Sequence, residues 1–134
     1  MITLIEARTY SPPVLGAARA SRLGYFEEFG VATTDLARSA AFWDALGCVA
    51  FDPIRAPFAK VVASHRDLNV GLYDTDLKRP VLTFSDPDMP GRIAALRANG
   101  HRFVDRLPRG MNARENALLE APEGTWLLLT TSSA

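Results

Sequence analysis

Between Tyr25 and Gly47 the hydrophobic pattern changes period. From Tyr25 to Thr34 aromatic and β-branched residues dominate, and alternation sends Phe29, Val31 and Thr33 one way while Glu28, Gly30, Ala32 and Thr34 point the other. Leu36, Ala40, Trp43 and Leu46 then recur at helical spacing along one stripe. Asp35 stands where a carboxylate can accept the unpaired amides of a first helical turn, and Gly47 where the helix stops. Three shorter extended runs follow, Val49–Phe51, Phe58–Ala63 and Leu68–Tyr73, separated by DPIRAP and by the polar turn SHRD.

The same order returns after Arg79. VLTF reads as a strand, DPD as the start of a helix, Met89, Ile93 and Leu96 as its buried stripe, and Gly100 as its stop. Pro90 suits the first turn, whose amides have no helical partner to lose. Strands at Arg102–Asp105, Ala117–Glu120 and Trp126–Thr131 complete the second unit, with GMNARE and PEGT as loops. Strand, aspartate, helix, glycine and strands therefore occur twice, a repeat carried by order rather than identity. Ahead of it, Ile2–Ala7 has the content of a short strand, but the SPP at Ser11–Pro13 interrupts it. Residues 1–22 read as an N-terminal arm that docks on the main sheet or on a second copy of the chain.

A chain of 134 residues suits one domain, residues 23–134, with units at about 23–76 and 79–132. Lys plus Arg and Asp plus Glu are 15 each, so no net field draws the protein to nucleic acid or an anionic membrane. No apolar run is long enough to cross a bilayer, and MITLIEARTYSPP lacks the basic start and cleavage site of a secretory signal, so the expected location is cytoplasmic. The single cysteine, Cys48, lies among apolar residues beside a helix end and is expected to pack as a small hydrophobe.

EFGVATTDLARSAAFWDALG resembles the opening of a vicinal oxygen chelate domain, and APEGTWLLL that family's closing turn and strand. The family takes in glyoxalase I, extradiol dioxygenases and antibiotic-binding proteins of the bleomycin-resistance type. The resemblance covers about Leu23 to Thr131 and implies an α+β fold of two βαβββ modules forming a curved mixed sheet around an open cup, with the helices outside. It also implies a homodimer, because such proteins commonly complete their cups by pairing chains.

In metal-using members the cup holds a divalent cation on side chains at equivalent places of four strands. The first place, seven residues before the capping aspartate, falls on Glu28, a competent oxygen ligand. Counted the same way from Asp86, the second falls on Arg79, which cannot coordinate a metal. The others fall near Gly71 or Leu72 and on Leu128, and none of these side chains is a ligand. One competent position of four does not make a site, so no metal and no cofactor is expected.

Arg79 then stands where the repeat would bring it near Glu28, either filling the metal's place as a paired cation or held ready for an anionic ligand group. The plain alternative is that it ends the linker DTDLKR with its charge in water. Trp126 and Tyr73 are candidates to line the cup, and core packing is the commoner use of such a tryptophan. His65, in the SHRD turn, and His101, after the helix-stopping Gly100, have no spaced partners and read as solvated. PRGMNARENA reads as a solvated connection or as a lid over the cup. Phosphate loops, nucleophile elbows and Cys/His metal spacings are absent.

The reading that follows is a metal-independent small-molecule binding protein, taking a polar or anionic organic ligand through Glu28, Tyr73, Arg79 and Trp126. The alternative is an enzyme of the lyase or dioxygenase type, with or without metal, that uses Glu28.

Overall fold

The computed structural model describes residues 21–132, so the strand expected at Ile2–Ala7 and the rest of the arm before Ser21 lie outside the described residues. The elements run β1 (Tyr25–Ala32), α1 (Leu36–Ala45), β2 (Val49–Ala50), β3 (Ala59–His65), β4 (Leu68–Asp74), β5 (Val81–Asp86), α2 (Met89–Ala98), β6 (Ala117–Glu120) and β7 (Trp126–Thr131). All seven strands join one mixed, open sheet in the order β2-β3-β4-β1-β5-β7-β6. Each helix returns the chain so that β4 lies parallel to β1 and β7 parallel to β5, while β1 and β5 pair antiparallel at the centre. This is the α+β architecture that the resemblance implies. No helix among the described residues is long and apolar enough to cross a membrane.

Both helices cover one face of the sheet. Leu36, Ala40 and Trp43 of α1 pack on Cys48, Ala63, Val70 and Leu72, and Met89, Ile93 and Leu96 of α2 pack on Ala117, Leu119 and Leu129. Leu46, expected in the α1 stripe, is instead 63% exposed. It is the C-cap residue, one position short of where the helical stripe through Leu36, Ala40 and Trp43 would continue, so its side chain turns away from the sheet. Asp35 caps α1 by accepting the Arg38 amide at 3.0 Å, and Gly47 ends it with φ +98°, a left-handed conformation that suits glycine.

The strand expected at Arg102–Asp105 shrinks to a single bridge, Phe103 to Leu119. Two further backbone bonds, Val104 N–H to Leu118 O at 2.7 Å and Glu120 N–H to Arg102 O at 3.0 Å, hold it at the sheet edge. Only Phe103 and Val104 offer apolar surface there between charged neighbours. The chain then leaves the edge, and Leu107 and Met111 fold against Phe58, Tyr73, Val81, Leu118 and Leu128 on the helix-free face. The segment 104–111 therefore roofs part of that face, reaching Phe58 and Tyr73 of the first unit as well as Val81, Leu118 and Leu128 of the second.

Candidate functional site

The helix-free face carries Glu28 of β1, Lys60 of β3, Tyr73 of β4 and Thr83 of β5. Strand register explains the gathering: Lys60 pairs with Tyr73, Gly30 with Gly71, and Glu28 with Thr83. With period-2 alternation all of these share one face. Glu28 is only 2% exposed, and one of its carboxylate oxygens accepts two bonds, from the Lys60 ammonium at 3.1 Å and from the Tyr73 hydroxyl at 2.5 Å. The same hydroxyl lies 2.8 Å from Thr83 Oγ1. Burial, with the Glu28 carboxylate beside it, pushes the Tyr73 phenol far above its ordinary value, so it remains a neutral donor.

Two glycines make this possible. Tyr73 leans back over Gly71 and Gly30 to reach Glu28, and a Cβ at Gly30 would run into the Tyr73 ring, while one at Gly71 would run into both the ring and the Glu28 carboxylate. Glycine inside a strand marks a close approach of this kind. Phe58 closes the other side, its ring centroid 5.0 Å from that of Tyr73.

Arg79 does not join this cluster, which corrects the proposed pairing with Glu28. Its guanidinium donates to Gly124 O at 3.0 Å, lies 3.9 Å from Glu120 and stacks 4.3 Å from the centroid of the Trp126 ring, with 48% of its side chain exposed. The cause lies in the helix cap. Asp88, not Asp86, caps α2, its side chain accepting the Gly91 amide, while Asp86 Oδ2 accepts the Asp88 amide at 2.9 Å. The offset that carries Asp35 to Asp88 also carries Gly47 to Gly100, and it carries Glu28 to Val81 rather than to Arg79. Val81 is buried on the helix-free face, and Arg79 lies just before β5 begins. The cation beside Glu28 is Lys60, placed there by the pairing of β3 with β4, which sets it opposite Tyr73.

A divalent cation does not fit these residues. The four related places are Glu28, Val81, Gly71 and Leu128, the last two lying beside Gly30 and Thr83 in register. The single carboxylate is already occupied by an ammonium and a phenol. Among the described residues no three His, Cys, Asp or Glu side chains gather where they could hold a metal.

Trp126 walls a second part of the same face. A cavity of about 170 Å³ is lined by Leu77, Val104, Leu107, Pro108, Leu118 and Trp126, with Asp76, Lys78 and Arg106 completing its wall. The Trp126 indole N–H is buried and has no acceptor among the described residues. Trp126, Leu118 and Tyr73 belong to one packed cluster, so the cavity and the Glu28 site are parts of one surface. His65 and His101 are both exposed, and Cys48 is buried as expected.

Asp76 ties down the roof. It accepts the Arg109 amide at 2.6 Å and Arg106 Nη2 at 2.7 Å, while Thr75 Oγ1 donates to Arg109 O at 2.9 Å. The Arg109 amide, ahead of the Arg106 charge, holds the Asp76 carboxyl below its ordinary value. A depressed carboxyl value means stability that is complete above the unfolded value of 3.8 and is lost as pH falls through the lower folded value. Segment 104–111 is therefore expected to loosen in acid before the sheet does, and Asp76→Asn to reduce that step. Amide exchange followed against pH checks this, and equal acid sensitivity of both proteins would assign the loosening to another group.

No protein-family model and no curated protein matches the sequence. Solved structures do match. A hypothetical protein of Bacillus halodurans C-125 superposes with a TM-score of 0.58 at 12% identity, over 81% of this chain and 94% of the other. Methylmalonyl-CoA epimerase from Mycobacterium tuberculosis gives 0.56 at 16% identity, over 82% and 89%. A glyoxalase/bleomycin resistance protein/dioxygenase superfamily member from Vibrio splendidus 12B01 gives 0.50 at 10% identity, over 78% and 97%. The chain has the vicinal oxygen chelate fold of that superfamily.

Proposed function

We propose that the chain is a small-molecule binding protein that takes a compact polar or anionic organic ligand on the helix-free face without a metal ion. The observation that carries this reading is the contrast across that face. The one carboxylate at a chelating position is satisfied by Lys60 and Tyr73. The roofed part beside it keeps a cavity of about 170 Å³ against Leu118 and Trp126. Trp126 is the ligand's wall, Glu28 and Tyr73 are the rigid floor next to it, and Arg79 braces the Trp126 ring. Val49, Phe51 and Ile54 leave apolar surface exposed along and beyond the β2 edge, which suits pairing of two copies, so the working unit in this proposal is a cytoplasmic homodimer.

Thermal shift against a panel of small organic acids and amides, with and without chelator, tests the reading. Saturable stabilisation unchanged by chelator is expected, together with its loss in Leu107→Trp, which fills the cavity. A stoichiometric divalent ion required for binding would overturn metal independence. Sedimentation as a monomer at all concentrations would remove the dimer.

A further inference from the structure

The Trp126 cavity has a defined chemistry, and from it we infer the class of ligand: a compact monocarboxylate with a single-ring or short branched apolar body. This inference rests on the cavity being the binding site. Six of its lining residues, Leu77, Val104, Leu107, Pro108, Leu118 and Trp126, present apolar surface to the ligand body. An apolar cavity of roughly 150 Å³ accommodates one benzene ring, so about 170 Å³ leaves room for a ring and little more.

The charges of the lining then decide the head group. Asp76 and Arg106 neutralise each other at 2.7 Å, and Asp76 is further occupied by the Arg109 amide. Lys78 has no carboxylate within ion-pairing distance among the described residues. The net local charge is positive and sits on Lys78. An ammonium at the border of an apolar cavity selects an anion whose apolar body can follow it inward. The buried Trp126 N–H supplies a second polar contact for an oxygen on the ligand. That N–H is covered in the structure, so an oxygen reaches it only when the cavity wall shifts.

Benzoate and its neutral counterpart benzamide are suitable probes for the full-length ¹⁵N-labelled protein. The chain has two tryptophans, and Trp43 packs on the far side of the sheet, so the two indole N–H signals separate cavity from control; Trp126→Phe assigns them. Benzoate is expected to shift the Trp126 indole signal saturably and leave Trp43 unmoved. Benzamide should bind about ten-fold more weakly, and Lys78→Met should weaken benzoate about ten-fold while sparing benzamide. Equal affinity for the two probes, or benzoate binding indifferent to Lys78→Met, would overturn the carboxylate assignment and leave the cavity reading standing. If neither probe moves Trp126, the ligand class is wrong, and the panel with Leu107→Trp then decides the cavity reading by itself.

Discussion

Gly71→Ala is expected to destabilise the fold by about 1–3 kcal/mol, the usual range for forcing extra atoms into a packed interior. The added methyl meets the Tyr73 ring and the Glu28 carboxylate together, and neither is the free end of a flexible chain: the ring is held by Phe58 and the carboxylate by Lys60. Gly30→Ala strikes the same ring from the neighbouring strand. Once Tyr73 has been displaced by one methyl, the second costs less, so the double variant should lose less stability than the two single losses added together. Urea unfolding of the three variants measures this. A Gly71→Ala protein as stable as the parent would mean that Tyr73 does not lie across the glycines, and strict additivity would mean that the two positions do not share it.

The second large effect concerns Glu28. Glu28→Ala removes a buried carboxylate that accepts both an ammonium and a phenol, leaves a void, and strips Tyr73 of its acceptor. A loss of about 2–4 kcal/mol is expected, from the charge-assisted bonds together with the cavity. Lys60→Met should cost less than Glu28→Ala, because Tyr73 continues to donate to the carboxylate, and the Lys60 side chain is already 16% exposed. Glu28→Gln with Lys60→Met removes both charges while keeping shape, and should recover about 1–2 kcal/mol relative to the sum of the two single changes. Zero coupling in this cycle would show that Lys60 contributes a contact rather than the neutralising charge.

Much of the fold was legible because its signals are local. Asp35 and Gly47 fix the ends of α1 by capping chemistry, and Ala117–Glu120 and Trp126–Thr131 form strands at the residues alternation indicates. The site was less legible, for two physical reasons. In DPD either aspartate can accept first-turn amides, and the structure uses Asp88 as cap with Asp86 holding the Asp88 amide. That difference of two residues moved the place related to Glu28 from Val81 to Arg79. A strand pairing then brought Lys60 opposite Tyr73, a long-range fact that no spacing along the chain encodes. Gly71 was visible as a position without a ligand. Its use as a bed for an aromatic ring follows only when Tyr73 is seen lying over it.

The glycine bed also constrains the protein's redesign. A ligating side chain at position 71 or 30 collides with Tyr73, yet trimming Tyr73 first would leave Glu28 and Thr83 short of their partner and open a hole beside Phe58. Either order of substitution passes through a weakened protein. Building a chelating site into this sequence is therefore an epistatic valley rather than a single step, and directed evolution toward metal binding should succeed only from a background stabilised beforehand.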